Sequence, residues 1–138
     1  MITIPASPSS SKIVFLGGTC NGSLWRDSLT PKLSISAFNP VVPNWNEAAQ
    51  KAEEEARENS DYVLYVITPK MTGIYSIAEA VEDSNKRPEK TVFCYLAEDD
   101  GQTFTAHQLK SLVQTGKLIV KNGGKVAASL EEVALILV

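Results

Sequence analysis

Histidine and cysteine are scarce in this chain of 138 residues: there is one histidine, His107, and two cysteines, Cys20 and Cys94. A single histidine excludes a two-histidine zinc motif, and two cysteines make neither a disulfide framework nor a thiolate metal cluster. So little cysteine fits a reducing compartment. The expectation is a cytoplasmic protein with no metal and no organic cofactor. Long apolar runs are also missing. None approaches the ~20 residues of a membrane-spanning helix. The N-terminus lacks the charged start and apolar core of a signal peptide, so no membrane partner is expected and the sequon Asn21-Gly-Ser23 is read as unused. A large excess of one charge is absent too. The net charge is −3 and the 13 basic residues are scattered, which argues against a surface for duplex nucleic acid.

What is present is an ordinary globular balance, 43% hydrophobic and 21% charged, at a length that suits one domain. Residues 1–11 are polar and hold Pro5 and Pro8, which reads as a loose arm before a domain over 12–138. Within the domain, strand and helix signals alternate. Residues 12–17 (KIVFLG), 35–38, 61–68 (DYVLYVIT), 91–96 (TVFCYL) and 125–128 read as strands, the longer ones apolar enough to be buried on both faces. Helices are expected over 22–28, closed by Pro31, and over 46–59, 77–85, 106–121 and 129–138. Asn122-Gly-Gly124 is expected to cap the fourth helix, and Ser129-x-x-Glu132 to open the fifth as a capping box. The Glu53-Glu54-Glu55 run is most simply a solvated face. Five strands alternating with five helices predict an α/β fold with a five-stranded parallel sheet between two helical layers. The flavodoxin-like order 2-1-3-4-5 follows.

That order places a ligand beside the carboxyl ends of the first and third strands. The loops there are 17–23 and 69–76, flanked by 39–46. The first, Gly17-Gly-Thr-Cys-Asn-Gly-Ser23, has glycines for close backbone approach but matches neither a P-loop nor the Rossmann fingerprint, and it also reads as a plain tight turn. In the loop after strand three, Glu79 lies near a helix start, where a carboxylate is favoured. A carboxylate at such an edge suits nucleophilic attack on an anomeric carbon. Ser76-x-x-Glu79 is equally a capping box, in which Glu79 only satisfies the Ser76 N–H. Trp25 and Trp45 flank the mouth and either stack on a base or pack as core. Asn39, Asn44 and Asn46 stand around two prolines, where asparagine is also ordinary turn chemistry. Asn21 and Tyr75 have the chemistry to bond a sugar. Asp61 reads as structural and His107 as a surface residue.

Four ordered segments carry a resemblance: GGTCNGSLWR at 17–26, FNPVVPNWN at 38–46, DYVLYVIT at 61–68 and GIYSIAEA at 73–80. Together they resemble the nucleoside 2-deoxyribosyltransferase-like family, over about residues 12–96 and more loosely beyond. The resemblance implies a flavodoxin-like fold and cleavage of the N-glycosidic bond of a 2′-deoxynucleoside or nucleotide through a covalent deoxyribosyl-glutamate. It makes Glu79 the nucleophile, and Gly17, Gly18, Thr19, Asn21, Trp25, Asn39, Trp45, Gly73, Tyr75 and Ser76 the substrate-binding candidates. It also implies a homo-oligomer and a small nucleoside or nucleotide as partner. The chain departs from the family pattern where the better-known transferases carry an aspartate six residues before the nucleophile. Gly73 stands there, and no acid lies between Pro69 and Ile77. A second family aspartate, on the helix before strand three, has Glu53 as its best-spaced counterpart. Glu53 or Asp27 is then the candidate acid. The alternative is a non-catalytic nucleotide-binding or interaction module that retains the fold.

Overall fold

Period-two alternation sorts the central strands' side chains onto two faces. Val14 and Leu16 of one strand join Leu64 and Val66 of the next in one core, with Trp25, Leu29, Val133 and Leu137. Phe15, Val63, Tyr65 and Ile67 point the other way and meet Ala80, Leu112 and Ile119. A strand with both faces covered reads as a continuous apolar run, which is why residues 13–18 and 62–67 are so uniformly hydrophobic.

The computed structural model describes residues 2–4 and 12–138. Its elements in chain order are β1 (Ile2–Ile4), β2 (Ile13–Gly18), α1 (Trp25–Leu29), β3 (Ser36–Asn39), α2 (Glu47–Asn59), β4 (Tyr62–Ile67) and α3 (Tyr75–Lys86). Then follow β5 (Thr91–Tyr95), β6 (Glu98–Asp99), β7 (Gln102–Thr103), α4 (Ala106–Asn122), β8 (Lys125–Ala127) and α5 (Leu130–Ile136). The main sheet runs β1-β3-β2-β4-β5-β8, and β3, β2, β4, β5 and β8 are parallel. These five are the 2-1-3-4-5 order expected of a flavodoxin-like sandwich. Helices α1 and α5 cover one face, and α2, α3 and α4 the other. Among the described residues, no helix is long and apolar enough to cross a membrane.

Two local expectations are corrected, and one element is added. Ile2–Ile4, inside the segment read as a loose arm, pairs antiparallel with β3 (Ile2↔Asn39, Ile4↔Ala37) as an edge strand. Its two isoleucines and one threonine are strong strand formers, and the prolines that suggested a loose arm begin only at Pro5. Pro31 does not close the first helix. It sits in the first turn of a 3₁₀ segment, Thr30–Lys32, that extends α1, where a missing N–H costs nothing. The β6–β7 hairpin, absent from the sequence reading, turns on Asp100 and Gly101, both with positive φ.

Helix termini follow their side chains. Asn46 caps α2 by accepting from the Ala49 N–H, and Thr105 and Gln108 form a reciprocal box on α4. Gly123 ends α4 in the left-handed conformation, and Ser129 accepts from the Glu132 N–H at the start of α5. Asp61 is structural: its carboxylate accepts from the Ile13 N–H at 2.8 Å, tying β2 to the start of β4.

The end of β2 lies tight against its parallel neighbour β4. A Cβ on Gly17 would lie 2.5 Å from the Tyr65 ring, and Gly18, at φ +122°, has no room beside the Val66 carbonyl. Gly18→Ala therefore loses about 3 kcal/mol or more of stability, through forbidden backbone and overlap together. Gly73→Ala, with open space around it, stays within about 0.5 kcal/mol. Urea unfolding of both variants checks the contrast.

Candidate active site between the first and third loops

The cleft is built from the carboxyl end of β2 outward. Gly18 turns the chain so that the Thr19 N–H reaches the Val66 carbonyl at 2.9 Å, and the Thr19 hydroxyl accepts from the Thr68 N–H at 2.9 Å. Beneath this turn lies Arg26, which the sequence reading did not single out. Its Nη1 donates to the Thr19 carbonyl at 2.8 Å and its Nε to the Leu16 carbonyl at 3.1 Å. The guanidinium stands 4.4 Å from the centre of the Trp25 ring, a cation–π pair in a buried setting. Trp25 is itself buried and gives its indole N–H to the Thr19 carbonyl at 2.8 Å. It supports the loop from below and lines neither half of the cleft. Packing accounts for it, and the stacking alternative does not.

Asn21 joins the two site loops. Its side-chain amide donates to the Lys70 carbonyl at 2.9 Å and to the Thr72 hydroxyl at 2.8 Å. The β6–β7 hairpin braces the same loops, through the Ser23 hydroxyl to Asp99 at 2.6 Å and Lys70 to Asp100 at 3.0 Å. Asn39 is used in its own turn, accepting from the Val41 N–H at 3.0 Å, and is not part of the cleft wall.

The cleft has two lobes that meet at Gly18, Cys20 and Ser76. One, about 280 Å³, is bordered by Thr19, Asn21, Thr72, Gly73 and Tyr75. The other, about 220 Å³, is walled by Pro40, Val41, Val42 and Trp45 and floored by Arg26, Glu53 and Glu79. Of the thirteen catalytic and substrate-binding candidates, ten border this cleft, and Trp25, Asn39 and Asp27 do not. Asp27 is exposed on α1 and borders neither lobe. A roomier hollow of about 770 Å³ on the outer face of α4 holds no acid and lies away from these loops.

Glu79 does not cap its helix. Helix α3 begins at Tyr75 with Ile74 before it and has no side-chain cap, so Ser76 is already inside the first turn. The Ser76 hydroxyl donates instead to the Gly18 carbonyl at 3.4 Å. The Glu79 carboxyl is buried and bound by Arg57, Nη1 to Oε2 at 3.1 Å. Glu53 is half-buried one turn before Arg57 on α2 and floors the same lobe as Glu79, where each carboxyl acts on the other. Glu54 and Glu55 are exposed, so the acidic run is a solvated face in two of its three members.

Two neighbouring carboxyls in a buried setting oppose each other's ionisation, which favours a proton on the pair. Burial and the adjacent Glu53 charge push Glu79 up to about 8, against the pull of Arg57. Burial also raises Glu53, opposed by its bond to Glu79 and by Arg57. Such a pair can store a proton near neutral pH and release it to a ligand, as acid–base chemistry requires. The native state therefore keeps a proton that the unfolded chain gives up above its ordinary glutamate range, so this pair's contribution falls as pH rises from about 4.5 to about 8. Glu79→Gln removes that penalty. Its melting temperature, relative to the parent, increases from pH 5 to pH 8 in parallel thermal melts. A difference that does not change with pH contradicts the raised Glu79 carboxyl.

Residues 11–98, well over half of the chain, match the family described as nucleoside 2-deoxyribosyltransferase like. No curated protein matches the chain closely enough to count as a relative. The match takes in both site loops, the apolar wall and both carboxyls, and the chain belongs to the nucleoside 2-deoxyribosyltransferase-like family.

Proposed function

We propose that the cleft takes a 2′-deoxynucleoside or its nucleotide and breaks the N-glycosidic bond by transferring the deoxyribosyl group to Glu79. The observation that carries this reading is the buried Glu79 carboxyl, held by Arg57 beside a second carboxyl and facing a cleft with one apolar wall. A base fits against Pro40, Val41, Val42 and Trp45, and the sugar lies toward Gly18 and Ser76. Family membership supports the substrate class.

The chemistry balances on one proton. The pair's proton passes through Glu53 to a ring nitrogen of the departing base, which leaves neutral with the bonding electrons. Glu79, now anionic, captures C1′ as the oxocarbenium character develops and forms an ester. Glu53 is left as a carboxylate. It can then take a proton from water, or from an acceptor base, as that nucleophile attacks C1′ and frees Glu79. A 2-deoxy sugar suits this route because no 2-hydroxyl withdraws electrons from the forming cation.

Gly73 stands where the better-known transferases carry an acid, and the space beside it is open. That feature favours the second reading, a module that binds nucleotides without cleaving them. Incubation with each 2′-deoxynucleoside and its 5′-monophosphate, with and without free base, separates the two by chromatography. Base release is expected, with Glu79→Ala losing about 10⁴-fold or more and Glu53→Gln about 10²–10⁴-fold. Binding without release by the parent protein, or full activity of Glu79→Gln, overturns the catalytic reading.

A further inference from the structure

We propose that Arg57 is a positioning residue for Glu79, its Nη1 holding the Glu79 carboxyl at 3.1 Å, and that Asp83 acts through it by fixing the guanidinium. The proposal rests on the reading of Glu79 as nucleophile. Arg57 leaves the last turns of α2 and reaches three acids on one face of α3: Glu79, Glu82 and Asp83. Asp83 is fully buried, and both its oxygens are occupied. Oδ2 accepts from Arg57 Nε at 3.3 Å and from the Tyr65 hydroxyl at 2.5 Å, while Oδ1 accepts from Arg57 Nη2 at 3.0 Å and from Arg87 Nη1. Two bonds to one carboxylate fix the plane of a guanidinium. With Nε and Nη2 held by Asp83, Nη1 has one direction left, and Glu79 lies along it.

A second, independent consequence concerns charge. The groups acting on Glu79 are Glu53 and Arg57 from α2 and Asp83 from its own helix. Tyr65 from β4, and Glu82 and Arg87 at the far side of the cluster, act on Arg57 and Asp83, and Arg26 acts on Glu53. Arg57 is the cation in direct contact with Glu79. Burial and both neighbouring anions oppose the carboxylate form, and Arg57 favours it. A side chain that merely fastened α2 to α3 would need neither the aim of Nη1 nor this effect on Glu79.

The test reads Glu79 directly, by carbon NMR of carboxyl-labelled glutamate, with its resonance assigned by its loss in Glu79→Gln. Arg57→Met, Arg57→Lys and Asp83→Asn are compared with the parent, alongside their kcat, KM and pH profiles for base release. In Arg57→Met, the Glu79 midpoint is expected to rise by about one pH unit or more, and the alkaline limb of the profile, where the pair loses the proton it gives to the base, to follow it. Arg57→Lys keeps the charge and loses the fork, so its midpoint rises less. Arg57→Lys and Asp83→Asn are both expected to lower kcat about tenfold or more with KM near that of the parent. If Arg57→Met does not fold, the other two variants carry the same readouts. Folded variants with the parent's Glu79 midpoint and kcat overturn the proposal. If the parent releases no base, the nucleophile reading fails, while the NMR midpoints still decide whether Arg57 controls Glu79.

Discussion

The ion cluster around Arg57 is the interaction on which the working end of this fold depends. Helix α2 has little apolar surface to bury, and its one buried residue is Arg57. Besides the packing of Ala56, the helix is tied to α3 by one guanidinium shared among Glu79, Glu82 and Asp83. Desolvating these charges is costly, and the cost is met only where each charge finds partners, as Asp83 does with Arg57, Tyr65 and Arg87. Among the described residues, no buried side-chain nitrogen or oxygen lacks a hydrogen-bond partner. Removing one member of such a cluster strands the others, typically at 3–5 kcal/mol. The same cluster sets the rotation of α2. With Arg57 turned inward, the residue one turn earlier, Glu53, faces Glu79.

Around this cluster the loops are rigid where the chemistry needs a fixed floor. Arg26 and Trp25 hold the turn after β2 from below, Asn21 clasps it to the loop after β4, and the β6–β7 hairpin braces both from outside. The wall at residues 40–45 is different in kind: apolar, proline-bearing and exposed at Trp45. One side of the cleft thus supplies charge and hydrogen bonds, and the other a flat apolar surface. A nucleoside, with a polar sugar and an aromatic base, has the same two-sided character.

Much of the fold was legible because buried parallel strands have a strong signature. KIVFLG and DYVLYVIT are strands on composition alone, and their order follows from alternation with helices. Short elements escaped where the signal was brief or shared. The turn at Asp100-Gly101 was present in the sequence, but two-residue strands give no periodicity to support it. Pro31 was misjudged because a proline that ends an α-helix and one that begins a 3₁₀ turn look alike in sequence. At the site, the loop positions were legible from topology, and Glu79 from family-like motifs. The choice between capping and chemistry was not, because it turns on whether the helix begins at Tyr75 or two residues later. The partners of Glu79 were least legible. Arg57, Asp83 and Arg87 look like ordinary helix-surface charges, and only the packing of α2 on α3 brings them together with Tyr65.

The central claim is that Glu79 carries the sugar in the course of the reaction. The direct measurement is peptide mass spectrometry after the protein is mixed with 2′-deoxynucleosides or their 5′-monophosphates and quenched in acid during turnover. The account predicts a single deoxyribosyl group esterified to the peptide containing Glu79, absent when Glu79→Gln is treated in the same way. Base release with Glu79 unmodified, or a sugar carried on another residue, would contradict it.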